Sequence, residues 1–107
     1  MLRSMMMKIK IPNLVLEAVV LQTLAEEELY GYVITKKIQE VIPISDSTTY
    51  PILRRLEQKG FVTTRSAIFD ERTRKYYQLT KEGEAQLADA KKEWQTFVEQ
   101  VNGILGE

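Results

Sequence analysis

The chain has 107 residues, 44% of them hydrophobic, 28% charged and 8% aromatic, the values of one small globular domain. It holds no cysteine and no histidine, which excludes disulfide scaffolds, zinc fingers and every catalytic scheme that needs a thiol or an imidazole. Fifteen basic and fifteen acidic residues cancel, so the whole-chain charge is silent about nucleic acid.

Residues 1–12 carry Arg3, Lys8 and Lys10 and no acid. Lys8 and Lys10 interrupt the apolar run that a signal peptide needs, and no later run approaches the ~18 residues of a membrane span. The segment reads as a flexible basic leader in which Met5, Met6 or Met7 is a candidate start. A cytoplasmic protein without membrane, metal or cofactor is expected.

Pro12-Asn13 signals a helix start with Asn13 as N-cap. From Leu14 to Ala25 the apolar residues Val15, Leu16, Ala18, Val19, Val20, Leu21 and Leu24 surround most of the helix. So small a chain has little core to bury both sides, and a second subunit against Val15 and Val19 would supply the cover. Glu26-Glu27-Glu28 ends the helix in solvent, and Leu29-Tyr30-Gly31 reads as a short connection.

A second helix is expected from Tyr32 to Val41, with Ile34, Ile38 and Val41 as one apolar stripe and Lys36, Lys37 and Glu40 in water. Pro43 ends it. Ser45 is expected to cap a third helix that runs to Lys59 and stops at Gly60. On its wheel Thr49, Ile52, Leu53 and Leu56 face inward. Ser47, Pro51, Arg54 and Gln58 lie opposite, with Thr48 and Arg55 on one flank and Tyr50 on the other. Pro51 is expected in the second turn, where it forfeits a hydrogen bond and kinks the helix.

Phe61 to Phe69 and Arg74 to Leu79 read as strands joined by a polar turn, Asp70-Glu71-Arg72-Thr73. The alternation puts Tyr77 in the core and Tyr76 outside. Residues 54–75 hold seven bases against Glu57, Asp70 and Glu71, so positive charge is concentrated here. Thr80 caps a long helix to about Leu105 whose apolar positions are Leu87, Ala90, Trp94, Phe97, Val101 and Ile104. Their alternating steps of three and four make a heptad seam, and a seam at the chain's end asks for a partner helix.

Two helices, a polar-faced helix and a basic hairpin form the order of a winged helix-turn-helix domain, mainly α with a small β-hairpin. The expected organisation is a winged domain over residues 13–79 and a dimerisation helix over 80–107. A helix about 10–12 Å across fits the major groove of B-DNA. There Ser47, Thr48, Tyr50, Pro51, Arg54, Arg55 and Gln58 are the candidate contacts, and Arg72, Arg74 and Lys75 of the hairpin would lie on the flanking backbone. A winged module that binds protein and no DNA is the alternative; an enzyme is not expected, since no glycine-rich phosphate loop or catalytic pairing stands out.

Tyr30-Gly31-Tyr32, the run from Thr48 to Glu57 with Gly60, and Arg74-Lys75-Tyr76-Tyr77-Gln78-Leu79-Thr80 with Gly83 together resemble the PadR family of bacterial transcriptional regulators, across about residues 14–105. The single long last helix resembles the short subfamily, in which that helix makes the dimer. The resemblance implies a homodimeric repressor that binds an inverted-repeat operator and is released by a small effector. It assigns DNA contact to Tyr50, Pro51, Arg54, Arg74 and Lys75. Trp94 falls where some members line a cavity between subunits and stack on flat aromatic ligands. The chain departs from the common pattern at the wing tip, where many relatives carry a glycine-rich and more basic turn.

Overall fold

A computed structural model describes residues 9–106. The expectation for the leader therefore falls, over residues 1–8, outside the described residues. In chain order the elements are α1 (Asn13–Thr23), β1 (Leu29–Tyr30), α2 (Gly31–Gln39), α3 (Thr49–Gln58), β2 (Val62–Phe69), β3 (Arg72–Leu79) and α4 (Lys81–Leu105). The expected fold class holds, with one addition. The segment Leu29–Tyr30 is a short strand, which pairs antiparallel with Tyr77 and Tyr76 and makes a three-stranded sheet of order β1-β3-β2. Two residues are too few to show alternation, so only the partner strand reveals it.

The core lies between α1, α2, α3 and the sheet. Val20, Leu21, Leu24, Ile34, Ile38, Ile52, Leu53, Leu56, Val62 and Tyr77 are buried in it. The stripe expected on α2 is shorter than its pattern. The helix ends at Gln39, so Val41 drops out and is 84% exposed.

Two helix starts differ from expectation. Pro12, not Asn13, occupies the N-cap of α1, with no side-chain cap; its carbonyl accepts from the amides of Val15 and Leu16, both at 3.0 Å. Ser45 does not cap α3. It closes a preceding turn, accepting from the Thr48 amide at 3.2 Å and meeting the Thr48 hydroxyl at 2.8 Å, so the helix begins at Thr49. Pro51 therefore sits in the first turn, where an amide has no intrahelical partner to lose, and the expected kink has no cause. The C-terminus is a Schellman closure: Gly60 (φ +81°) donates to Glu57 at 3.0 Å and Phe61 to Leu56 at 2.9 Å.

All four residues expected on the inner face of α3 are buried, and one of them, Thr49, keeps its Oγ1 without a hydrogen-bond partner. An unpaired buried hydroxyl is costly, and valine has the same shape without it. Thr49→Val is expected to raise stability by about 1 kcal/mol, read as a higher urea midpoint with unchanged slope.

The hairpin is tighter than its sequence suggests. Asp70 (φ 56°) and Glu71 (φ 63°) alone form the turn, and Phe69 pairs with Arg72. Positive φ at both central positions is the requirement of a two-residue turn whose twist matches the strands. Arg72 and Thr73 thus belong to β3. The long helix starts as expected: Thr80 Oγ1 accepts from the Gly83 amide at 3.0 Å.

Candidate nucleic-acid interface

α3 presents an outer face made of Tyr50, Pro51, Arg54 and Gln58, all exposed, with Ser47 and Thr48 in the turn just before it. The inner face anchors this arrangement, because Ile52, Leu53 and Leu56 leave the helix no freedom to roll. Tyr50 is set by close approach to Gly31. A Cβ on Gly31 would lie 2.5 Å from Tyr50 Cε1, so the glycine is what allows the ring to lie there. Beside it, a groove of about 630 Å³ separates α3 from the wing, lined among others by Tyr30, Tyr32, Tyr50, Arg72 and Arg74.

The cations sort into two groups. Arg55 does not face outward with Arg54; its Nε donates to Glu17 Oε2 at 3.3 Å, and Lys59 Nζ lies 3.7 Å from the same oxygen. Lys75 Nζ is 3.5 Å from Glu57 Oε1, whose other oxygen accepts from Thr64 at 3.3 Å, so the wing root is tied to α3. Arg65 donates to both oxygens of Glu28, and this hydrogen bonding holds the Glu28 carboxyl below its ordinary range. At the turn before α3, the Gln39 amide and then the Lys36 ammonium lower Asp46 in the same way.

Of the seven cations between residues 54 and 75, that leaves Arg54, Arg72 and Arg74 without a carboxylate partner among the described residues. Arg74 is instead stacked, its guanidinium 4.5 Å from the Tyr30 ring centre and 5.1 Å from that of Phe69. Such stacking fixes the plane of the group while its N–H edges stay available. Tyr76 is half-buried rather than exposed, since the Tyr30 ring meets it edge-on at 5.5 Å and Arg65 covers it.

The seam of α4 divides in the middle. Leu87 and Ala90, expected on the dimer seam, are 7% and 2% exposed within a single chain and packed toward α1 in its own core. Beyond them Trp94, Phe97 and Ile104 are exposed and Val101 half-buried. Half-buried Val15 and Val19 of α1 line an apolar cleft of about 200 Å³ with Leu87, Ala90 and Trp94. A wider groove of about 800 Å³ runs past Pro12, Leu14, Val15, Trp94 and Phe97. Glu17 and Glu28 escaped sequence reading, because their cationic partners are 38 and 37 residues away.

A polar-faced helix clamped on two apolar ones and followed by a basic hairpin defines a winged helix-turn-helix protein. Residues 20–89 match the Transcriptional regulator PadR-like family, and the chain belongs to that family, one of regulators and not of enzymes. The crystal structure of smu.1704 from Streptococcus mutans is 35% identical, covers 94% of each chain and superposes with a TM-score of 0.83. A PadR family transcriptional regulator from Eggerthella lenta is 34% identical over 85% of this chain and 81% of its own, with a TM-score of 0.77. Transcriptional regulator Rv3488 of Mycobacterium tuberculosis is 28% identical over 85 residues, 78% of this chain and 79% of that protein. No described helix is long and apolar enough to cross a membrane.

Proposed function

We propose that this regulator is a cytoplasmic repressor that binds a pseudo-palindromic DNA operator as a homodimer. The observation that carries the reading is the sorting of charge: of the seven cations between residues 54 and 75, those without a carboxylate partner among the described residues are Arg54 on the outer face of α3 and Arg72 and Arg74 on the wing. On this reading residues 13–79 form the DNA-binding unit. Arg54 and Gln58 meet base edges with Tyr50 beside them, Ser47 and Thr48 approach the backbone, and the wing arginines neutralise flanking phosphate.

The second half of α4 supports the dimer. Trp94, Phe97 and Ile104 are 42%, 54% and 87% exposed along one seam, apolar surface that a copy of the same helix would cover. Two reading helices on a twofold axis then fall roughly 34 Å apart, one turn of DNA. The groove past Trp94 and Phe97 would take a flat aromatic effector, whose arrival a lone tryptophan reports by fluorescence.

Fluorescence anisotropy of labelled genomic fragments, with sedimentation of the complex, tests this reading. Two phosphate-neutralising arginines per chain, Arg72 and Arg74, make four per dimer, so affinity is expected to fall about 10²-fold between about 50 and 200 mM salt. Two chains are expected on each duplex. A 12.4 kDa particle that retards no fragment at any salt would overturn the reading and leave a protein-binding module in its place.

A further inference from the structure

We propose that Glu17 is a specificity determinant, which holds Arg55 and Lys59 away from DNA so that Arg54 is the one cation through which α3 reads sequence. The inference rests on the DNA-binding reading above.

Glu17 stands on α1, not on the reading helix, and is 7% exposed. A carboxylate so buried is costly unless cations face it, and the two it has come from α3 and from its C-cap, Arg55 and Lys59, four residues apart. The arrangement is asymmetric. The side chains of Arg55 and Lys59 remain 39% and 51% exposed, whereas that of Glu17 is only 10% exposed. The acid is fixed in the core, while the cations have long stems with one side in water and room to swing outward once released.

Released, they would gain phosphate contacts. Such contacts add affinity for every sequence alike and so lower the ratio between operator and random DNA. Withholding them is discrimination by subtraction. Glu17 would touch neither base nor phosphate and would act through the two side chains it restrains, as a positioning residue.

The experiment measures salt slopes for the wild type, E17Q and the triple variant E17Q/R55Q/K59Q on a random duplex and on a preferred genomic fragment. E17Q is expected to bind the random duplex more tightly and to steepen the slope by about 2 per bound chain, at roughly 0.9 per phosphate neutralised. Its preference for the genomic fragment falls, and the triple variant returns to the wild-type slope. A merely structural Glu17 would lower the melting temperature and leave the slope where it was; a folded E17Q with an unchanged slope overturns the proposal. Should E17Q not fold, R55Q decides. It leaves the slope unchanged if Arg55 is withheld, and flattens it by about 1 per chain if Arg55 already meets phosphate, which overturns the proposal. A wild type that binds neither duplex sinks the DNA-binding reading itself, an outcome distinct from both.

Discussion

Gly83→Ala is expected to cost roughly 3 kcal/mol or more and to lower the melting temperature by at least about 12 °C. The cause is geometric. A Cβ built on Gly83 would lie 2.1 Å from the carbonyl oxygen of Phe61 and 2.7 Å from Leu79 Cδ1, far inside contact distance. The leucine tip is flexible, but the carbonyl is backbone and is already engaged, since it accepts from the Thr80 amide at 3.1 Å. Neither side of the clash yields without breaking the Thr80 cap or the link between the wing root and α4. Gly103 in the same helix provides the control, for its Cβ would meet nothing within 4 Å. Gly103→Ala is expected to gain about 0.4–1 kcal/mol through a stiffer unfolded chain. Thermal melts of the two variants, followed by circular dichroism, should move in opposite directions; equal shifts would show that Gly83 is not sterically required.

Arg54→Ala is expected to weaken binding to a preferred DNA fragment by about 1–3 kcal/mol, a five- to 150-fold loss, and to relax base preference at one position of each half-site. Arg54 has no carboxylate partner among the described residues, and the buried face of α3 fixes its direction. Truncation thus removes a donor without freeing a hidden acid. Arg72→Ala serves as comparison, since a backbone contact is expected to weaken all sequences alike and to flatten the salt slope by about 1 per chain. Lys75 is a poorer probe for that purpose, because its ammonium already lies beside Glu57. Anisotropy on preferred and random duplexes gives both readouts. An Arg54→Ala variant that keeps full discrimination would place the reading face elsewhere.

Much of this architecture was legible in the sequence because local rules dominate it. The inner face of α3 followed from spacing alone, and Thr80 and Gly60 marked ends that capping chemistry requires. The start of α3 was misread because Ser45 offers a cap that the chain uses to close a turn. Pro51 held the better signal, since proline is tolerated in a first turn and not in a second. What stayed hidden depends on distant partners. The strand Leu29–Tyr30 exists only through its pairing with β3, and the role of Arg55 depends on a carboxylate 38 residues earlier. Leu87 and Ala90 carry the same heptad signal as Phe97 and Ile104, yet the first pair is buried within the chain and the second is exposed.

Both feet of the hairpin are pinned at one spot, where Thr80 Oγ1 donates to the Gly60 carbonyl at 2.7 Å and the Thr80 amide to Phe61. From there each strand runs eight residues, about 26 Å, to the Asp70-Glu71 tip, and β1 braces only the two rungs at Tyr76 and Tyr77. The wing is therefore a cantilever. Its bending is expected to grow with distance from the anchor, so Arg72 beside the tip is expected to sweep a wider arc than Arg74, which is stacked on Tyr30 and Phe69, and to let the tip adjust to a duplex of varying groove width.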